Sequence, residues 1–133
     1  MKKRILIVLA NYYTKISNNL RIDTLEEFKG KAKIKTIVVP GVFEVPVVIS
    51  QNINKYNGFV ALGCVIKGET PHFKFISQSA TDAIMQLSIN SKKPIGNGIL
   101  TCLNRNQAIK RSKTKGSEAA RAVLNLLNPI LDD

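Results

Sequence analysis

The groups in this chain that are able to do chemistry gather around one short stretch, Lys67-Gly68-Glu69-Thr70-Pro71-His72. His72 is the only histidine, and imidazole is the side chain whose ordinary pKa lets it give and take protons near neutrality. Gly68 permits a tight turn, the Thr70 hydroxyl suits a helix cap, and Pro71 suits the first helical position. A helix start leaves backbone N–H groups unpaired, which makes it a ready anion site. The pattern predicts an anion cradle with a proton carrier beside it. A second group is Glu44, set in the otherwise apolar loop Pro40-Gly41-Val42-Phe43-Glu44-Val45-Pro46. Its carboxylate either serves a ligand or sits at a helix start and complements the dipole. Two further groups are the aromatic turn Asn11-Tyr12-Tyr13 and the basic segment Lys110 to Lys115, which includes Arg111.

These groups need a scaffold, and the apolar pattern supplies one. Ile5–Leu9, Ile34–Val39, Phe59–Ile66 and Ile95–Cys102 read as strands; the near-continuous apolar runs among them suit strands buried on both faces of a parallel sheet. Between them, Ile16, Leu20, Leu25 and Phe28 fit one helical face with Gly30 as a stop, and Pro46 opens a helix carrying Val47, Val48, Ile49 and Ile53. Pro71 to about Ser91 places Ile76, Ala80, Ala83, Ile84 and Leu87 on one stripe. Asn104 to Gln107 has the spacing of a capping box for a helix to Ser112, and a last helix spans Ser117–Leu127. Strand–helix alternation argues for an α/β, three-layer α/β/α sandwich: a four-stranded parallel sheet of flavodoxin-like winding with helices on both faces. Ligands bind such sheets at the carboxyl ends of the strands, where all four chemical groups fall.

Length and charge narrow the rest. The 133 residues fit a single domain. No apolar run approaches the roughly 20 residues of a membrane span. The basic-then-apolar start, MKKRILIVLA, reads as the first strand, because its apolar part is shorter than the roughly 7–15 residues of a signal core. The two cysteines, Cys64 and Cys102, suggest reduced thiols in a cytoplasmic protein. The net charge of +11 is spread along the chain rather than interleaved with aromatics on one face, which argues against nucleic acid. It favours a Lys-rich solvated surface or attraction of small anionic substrates.

Taken together, the residues resemble the lumazine synthase family. Val39-Pro40-Gly41-Val42-Phe43-Glu44-Val45-Pro46 is similar to that family's VPGAFEIP segment. Leu62 to Phe73 is similar to its LG-x-VIRGET-x-HF segment, and Gly98-Ile99-Leu100-Thr101 with Gln107 to Arg111 to its G-x-LT…QA…R segment. The resemblance implies condensation of 5-amino-6-(D-ribitylamino)uracil with 3,4-dihydroxy-2-butanone 4-phosphate, without cofactor or metal, to give 6,7-dimethyl-8-ribityllumazine, phosphate and water. By position it places Tyr12 against the pyrimidine ring, and the backbones of Val42 and Phe43 with the Glu44 carboxylate on the ribityl chain. Cys64, Val65 and Ile66 would bond the pyrimidine edge through their backbones. Glu69 and Thr70 mark the phosphate cradle, and His72 moves protons. Asn97 and Arg111 would come from a neighbouring subunit, Arg111 gripping the phosphate. The implied partners are other copies of the chain, as a pentamer or an assembly of pentamers, with a possible functional link to riboflavin synthase and no nucleic acid or membrane.

The chain departs from the family pattern at several places. Lys67 stands where the family usually has Arg, which keeps the charge and loses the guanidinium fork. Asn97 occupies a position that is often Phe, so a stacking wall is replaced by an amide. The segment from Arg111 to Gly116 is shorter than in typical members, and the family's common N-terminal extension is missing from this sequence. Two other readings use the same residues: a flavodoxin-like module that holds a phosphorylated ligand or flavin without chemistry, and a cage or scaffold protein.

Overall fold

The computed structural model describes residues 2–132. In chain order the elements are β1 (Arg4–Ala10), α1 (Thr14–Phe28), β2 (Lys33–Val39), a 3₁₀ turn (Val42–Glu44), α2 (Val45–Gln51), β3 (Gly58–Ile66), α3 (His72–Ser91), β4 (Ile95–Cys102), α4 (Arg105–Arg111) and α5 (Lys115–Leu127). The strands form one parallel sheet in the order β2-β1-β3-β4. Every expected strand is present, and the sheet has the expected flavodoxin-like winding.

The period-2 alternation of a strand explains the two cores. From β1, Ile5, Ile7 and Leu9 point to one face, where Ile16, Leu20 and Phe28 of α1 meet Ala119, Ala120 and Val123 of α5. Leu6, Val8 and Ala10 point to the other, against Val45 and Ile49 of α2 and Ala80 and Ile84 of α3. β1 has helices over both faces, which is why Ile5–Leu9 carries no polar residue.

Three helix starts differ from expectation, the smallest change being α2, which opens at Val45 with Pro46 as its second residue. α5 begins at Lys115 rather than Ser117, and the cap comes from another helix: the Ser117 backbone N–H donates to Asp23 Oδ2 of α1 at 2.7 Å. Asp23 can reach it because Gly116 brings α5 against α1; a Cβ there would fall on the Thr24 hydroxyl and the Leu20 carbonyl. At α3, Pro71 is the N-cap rather than the first helical residue, and no side chain caps the helix. The Thr70 hydroxyl lies a long 3.4 Å from the His72 N–H, so the expected cap is weak. The capping box at α4 forms as expected on one side, with Gln107 N–H donating to Asn104 Oδ1 at 2.9 Å. Gln107 Oε1 in return accepts from Leu103 N–H, also at 2.9 Å.

Strand lengths decide what the sheet offers at its carboxyl edge. The β1–β3 ladder ends at Leu9↔Leu62, whereas the β3–β4 ladder continues to Ile66↔Cys102. β3 thus overruns β1, and on the β1 side residues 63–66 have no ladder partner. Unpaired strand edges are groups that must be satisfied by something.

Candidate active site

The overrun of β3 forms the floor of a cleft of about 310 Å³, at the lower end of the range for small-molecule pockets. Three segments wall it. The first is the turn after β1: Asn11 N–H bonds the Val39 carbonyl at 2.9 Å, and the Ser17 hydroxyl bonds the Ala10 carbonyl at 2.9 Å. These two bonds fix where Tyr12 and Tyr13 leave the strand. Tyr12 is 74% exposed, and its ring meets that of Tyr13 edge to face, centroids 4.9 Å apart at 80°.

The second wall is the 3₁₀ turn, closed by Glu44 N–H on the Gly41 carbonyl at 3.2 Å. Val42 is buried and Phe43 is 60% exposed, so the short turn has one foot in the core and one ring in the open. Val42 can settle there because β3 has no side chain at Gly63. A Cβ at that position would lie 2.8 Å from Val42 Cγ2 and 3.0 Å from Ala10 Cβ, well inside van der Waals contact.

The third wall is the stretch from Gly68 to the start of α3. Gly68 has neither a positive φ nor a neighbour near its missing Cβ, so it is not needed for a strained turn; its lack of a side chain leaves room in the cleft. His72 is the first residue of α3 and faces the same space.

Of the residues singled out from the sequence, Tyr12, Val42, Phe43, Cys64, Val65, Ile66, Thr70 and His72 line this cleft together. Glu44 stands beside it, with Oε1 turned back over Gly41, and Glu69 lies between two lining residues, Gly68 and Thr70, without lining it. Asn97 and Arg111 do not line the cleft of their own chain. Asn97 is exposed on β4, an edge strand, and its Oδ1 accepts the Ile99 N–H at 3.0 Å. Arg111 is the exposed last residue of α4.

The model of the 6,7-dimethyl-8-ribityllumazine synthase family matches residues 2–130. Proteins of that name from Bartonella tribocorum and Buchnera aphidicola are 42% and 44% identical to this chain. Those alignments cover 95% and 93% of it, and 89% and 85% of the relatives. The one from Agrobacterium fabrum is 41% identical over 95% of this chain and 93% of its own. The chain belongs to the lumazine synthase family.

Within this family member the electrostatics of the floor are plain. Burial, and then the nearby Cys102 thiol, push the Cys64 thiol up to about 12, with Arg105 and Arg111 opposing. The thiol stays protonated, so what Cys64 offers a ligand is its backbone. Sequence reasoning missed Tyr13, Phe73 and Ile76 as cleft residues. Ile76 follows His72 by one helical turn and is legible as wall; Phe73 is adjacent to His72 in sequence, and Tyr13 is legible only as part of an aromatic turn. Among the described residues no helix is long and apolar enough to cross a membrane.

Proposed function

We propose that this chain, acting as one domain over residues 1–133, condenses 5-amino-6-(D-ribitylamino)uracil with 3,4-dihydroxy-2-butanone 4-phosphate in this cleft, forming 6,7-dimethyl-8-ribityllumazine and releasing phosphate and water. The observation that carries the reading is the unpartnered edge of β3. The main-chain groups of Phe59 and Lys67 bond the β4 side, so by alternation Val65 faces β4 as well, and those of Cys64 and Ile66 face the open β1 side. There a flat heterocycle with alternating N–H and C=O groups can pair with Cys64 and Ile66 as a strand would, with Val65 between them. Tyr12 supplies an aromatic face for that ring. Val42, Phe43 and Glu44 serve the ribityl chain. The free N–H groups at the start of α3, with the Thr70 hydroxyl and the main chain of Glu69, take the phosphate.

The chemistry begins when the amine of the uracil attacks the ketone. Holding the pair in place can supply roughly 7–11 kcal/mol of the barrier. His72 accepts the proton released as the imine forms and, once charged, assists departure of the phosphate. Arg111 and Asn97 complete the site from a neighbouring copy. Their place outside their own cleft supports this, as do the open mouth and the exposed Phe43, Phe75 and Leu103. The assembly is a pentamer or a set of pentamers in the cytoplasm, and its product is material for riboflavin synthase.

The test is to mix the two substrates with the purified protein and follow lumazine absorbance, with sedimentation run on the same sample. Turnover confined to an oligomer is expected; an active monomer refutes the shared site. A cleft-side variant, Gly63→Ala, and a neighbour-side variant, Arg111→Ala, are then co-refolded in equal amounts. If each site takes its halves from two subunits, about one quarter of sites regain both intact halves, and activity returns. Sites built within one chain regain none.

A further inference from the structure

Tyr13 lines the cleft and has no part in the reaction steps. It is half-buried and packed against the core under α1, and its carbonyl accepts the Ser17 N–H at 2.8 Å, so it is a fixed point. Tyr12 is the opposite: 74% exposed, on a turn, with Tyr13 as its one aromatic neighbour among the described residues. A ring meant to lie flat on a heterocycle is useless if it swings, and the edge-to-face contact at 4.9 Å and 80° is what sets its plane. Tyr13 also brings a polar group. Its phenol feels the Cys64 thiol and the Arg105 guanidinium, but no hydrogen bond from a described residue reaches it. Partial burial, then Cys64 and Tyr12, hold that phenol above its ordinary range, so it remains an O–H donor at ordinary pH. An unspent donor on the wall of a cleft, at the level of the free β3 edge, is matched by an acceptor on the ligand.

We propose that Tyr13 is a positioning residue for the ribitylaminouracil: its ring edge sets the plane of Tyr12, and its hydroxyl donates to a ring carbonyl of the pyrimidine beside Cys64. This rests on the assignment of the cleft to that substrate. It is also a specificity device, because a heterocycle without an acceptor there leaves the hydroxyl desolvated and unpaired.

Steady-state kinetics of Tyr13→Phe and Tyr13→Leu test it, with calorimetric binding of the uracil alone to the same proteins. Tyr13→Phe keeps the ring edge and is expected to raise KM and Kd for the uracil about three- to tenfold. Its kcat and its KM for the butanone phosphate stay at wild-type values. Tyr13→Leu also frees Tyr12 and lowers kcat in addition. Alkaline pH ionises the uracil's own ring N–H and weakens its binding to both proteins, but wild type loses further affinity as the Tyr13 phenol ionises and Tyr13→Phe lacks that added loss; a merely structural tyrosine would not produce the difference. Equal uracil affinity in wild type and Tyr13→Phe overturns the proposal, and so does an equal rise in KM for both substrates. A wild-type protein that binds the uracil but makes no product overturns the enzymatic reading and leaves Tyr13 to be judged on binding. One that does not bind the uracil overturns both.

Discussion

Gly63→Ala is the substitution that most directly separates the fold from the site. A methyl there would sit 2.8 Å from Val42 Cγ2 and 3.0 Å from Ala10 Cβ, while carbon atoms rest at about 3.5–4.0 Å. Something must retreat by most of an ångström. Ala10 is held in β1, paired to β2 at its end, and cannot yield cheaply. Val42 is in a three-residue turn and can. The overpacking is expected to lower stability by about 1–3 kcal/mol, which a urea melt reads. The functional effect is larger than that figure suggests, because Val42 moves Gly41 and Phe43 with it, and a shift of about 1 Å in positioning groups can cost about 10²-fold. Steady-state assays should show kcat/KM for the uracil down by about that factor, with KM for the butanone phosphate unchanged because the cradle lies on the opposite wall. Adding Val42→Ala removes the clashing methyl and should restore most of the loss. Wild-type kcat/KM in Gly63→Ala, or a double variant no better than the single, refutes the reasoning.

His72→Ala is expected to lower kcat by no more than the bottom of the about 10²–10⁴-fold range of a positioned acid–base group, since water reaches the open cleft; complete loss of turnover in an assembled variant would show that proton transfer, not proximity, dominates. Arg111→Lys keeps the charge and loses the bidentate grip, so KM for the butanone phosphate should rise while affinity for the uracil holds; equal weakening of both makes Arg111 structural. Cys64, pushed up to about 12, should resist iodoacetamide in the folded protein at pH 8, because the thiolate is the nucleophile. Its labelling should start only as the pH climbs toward that value or urea unfolds the chain, and rapid native labelling at pH 8 would contradict the burial.

The features legible in the sequence were those written in local pattern. Ile5–Leu9 and Phe59–Ile66 announce strands buried on both faces, because nothing but an apolar run survives there, and Asn104 with Gln107 announces its own helix start. What could not be read depends on distant partners. The start of α5 is set by Asp23, from α1, and no local signal at Lys115 reports that. Thr70 has the right chemistry for a cap, yet Pro71 takes the N-cap position, a shift of one residue that pattern does not resolve. The free edge of β3 is a difference between two ladder lengths, visible only once the register is known. Tyr13 looked like its neighbour in sequence; its burial against the α1 core is what separates the two rings.

The placement of the parts also constrains how copies meet. The cleft lies between β1, β3 and α3, whereas Asn97 and Arg111 belong to β4, the edge strand, and to the helix that follows it. If these residues serve a cleft, they serve another chain's, and they do so with a surface different from the one that receives them. A two-fold dimer can meet this need when the donating and receiving surfaces lie side by side, because each then pairs with its opposite on the partner across the axis. If the two surfaces lie on different sides of the subunit, the contact is head-to-tail, and it either closes into a ring or runs on as a filament. A closed ring gives every cleft a donor and every donor a cleft, so no site is left half built. Asn97 is well prepared for that contact. Its Oδ1 accepts the Ile99 N–H, which holds the amide, and its N–H₂ has no partner among the described residues. A phenylalanine at this place could only stack; under the proposed shared site, an amide held by its own strand would donate to a ring carbonyl or a ribityl hydroxyl and would change the kind of contact rather than remove it.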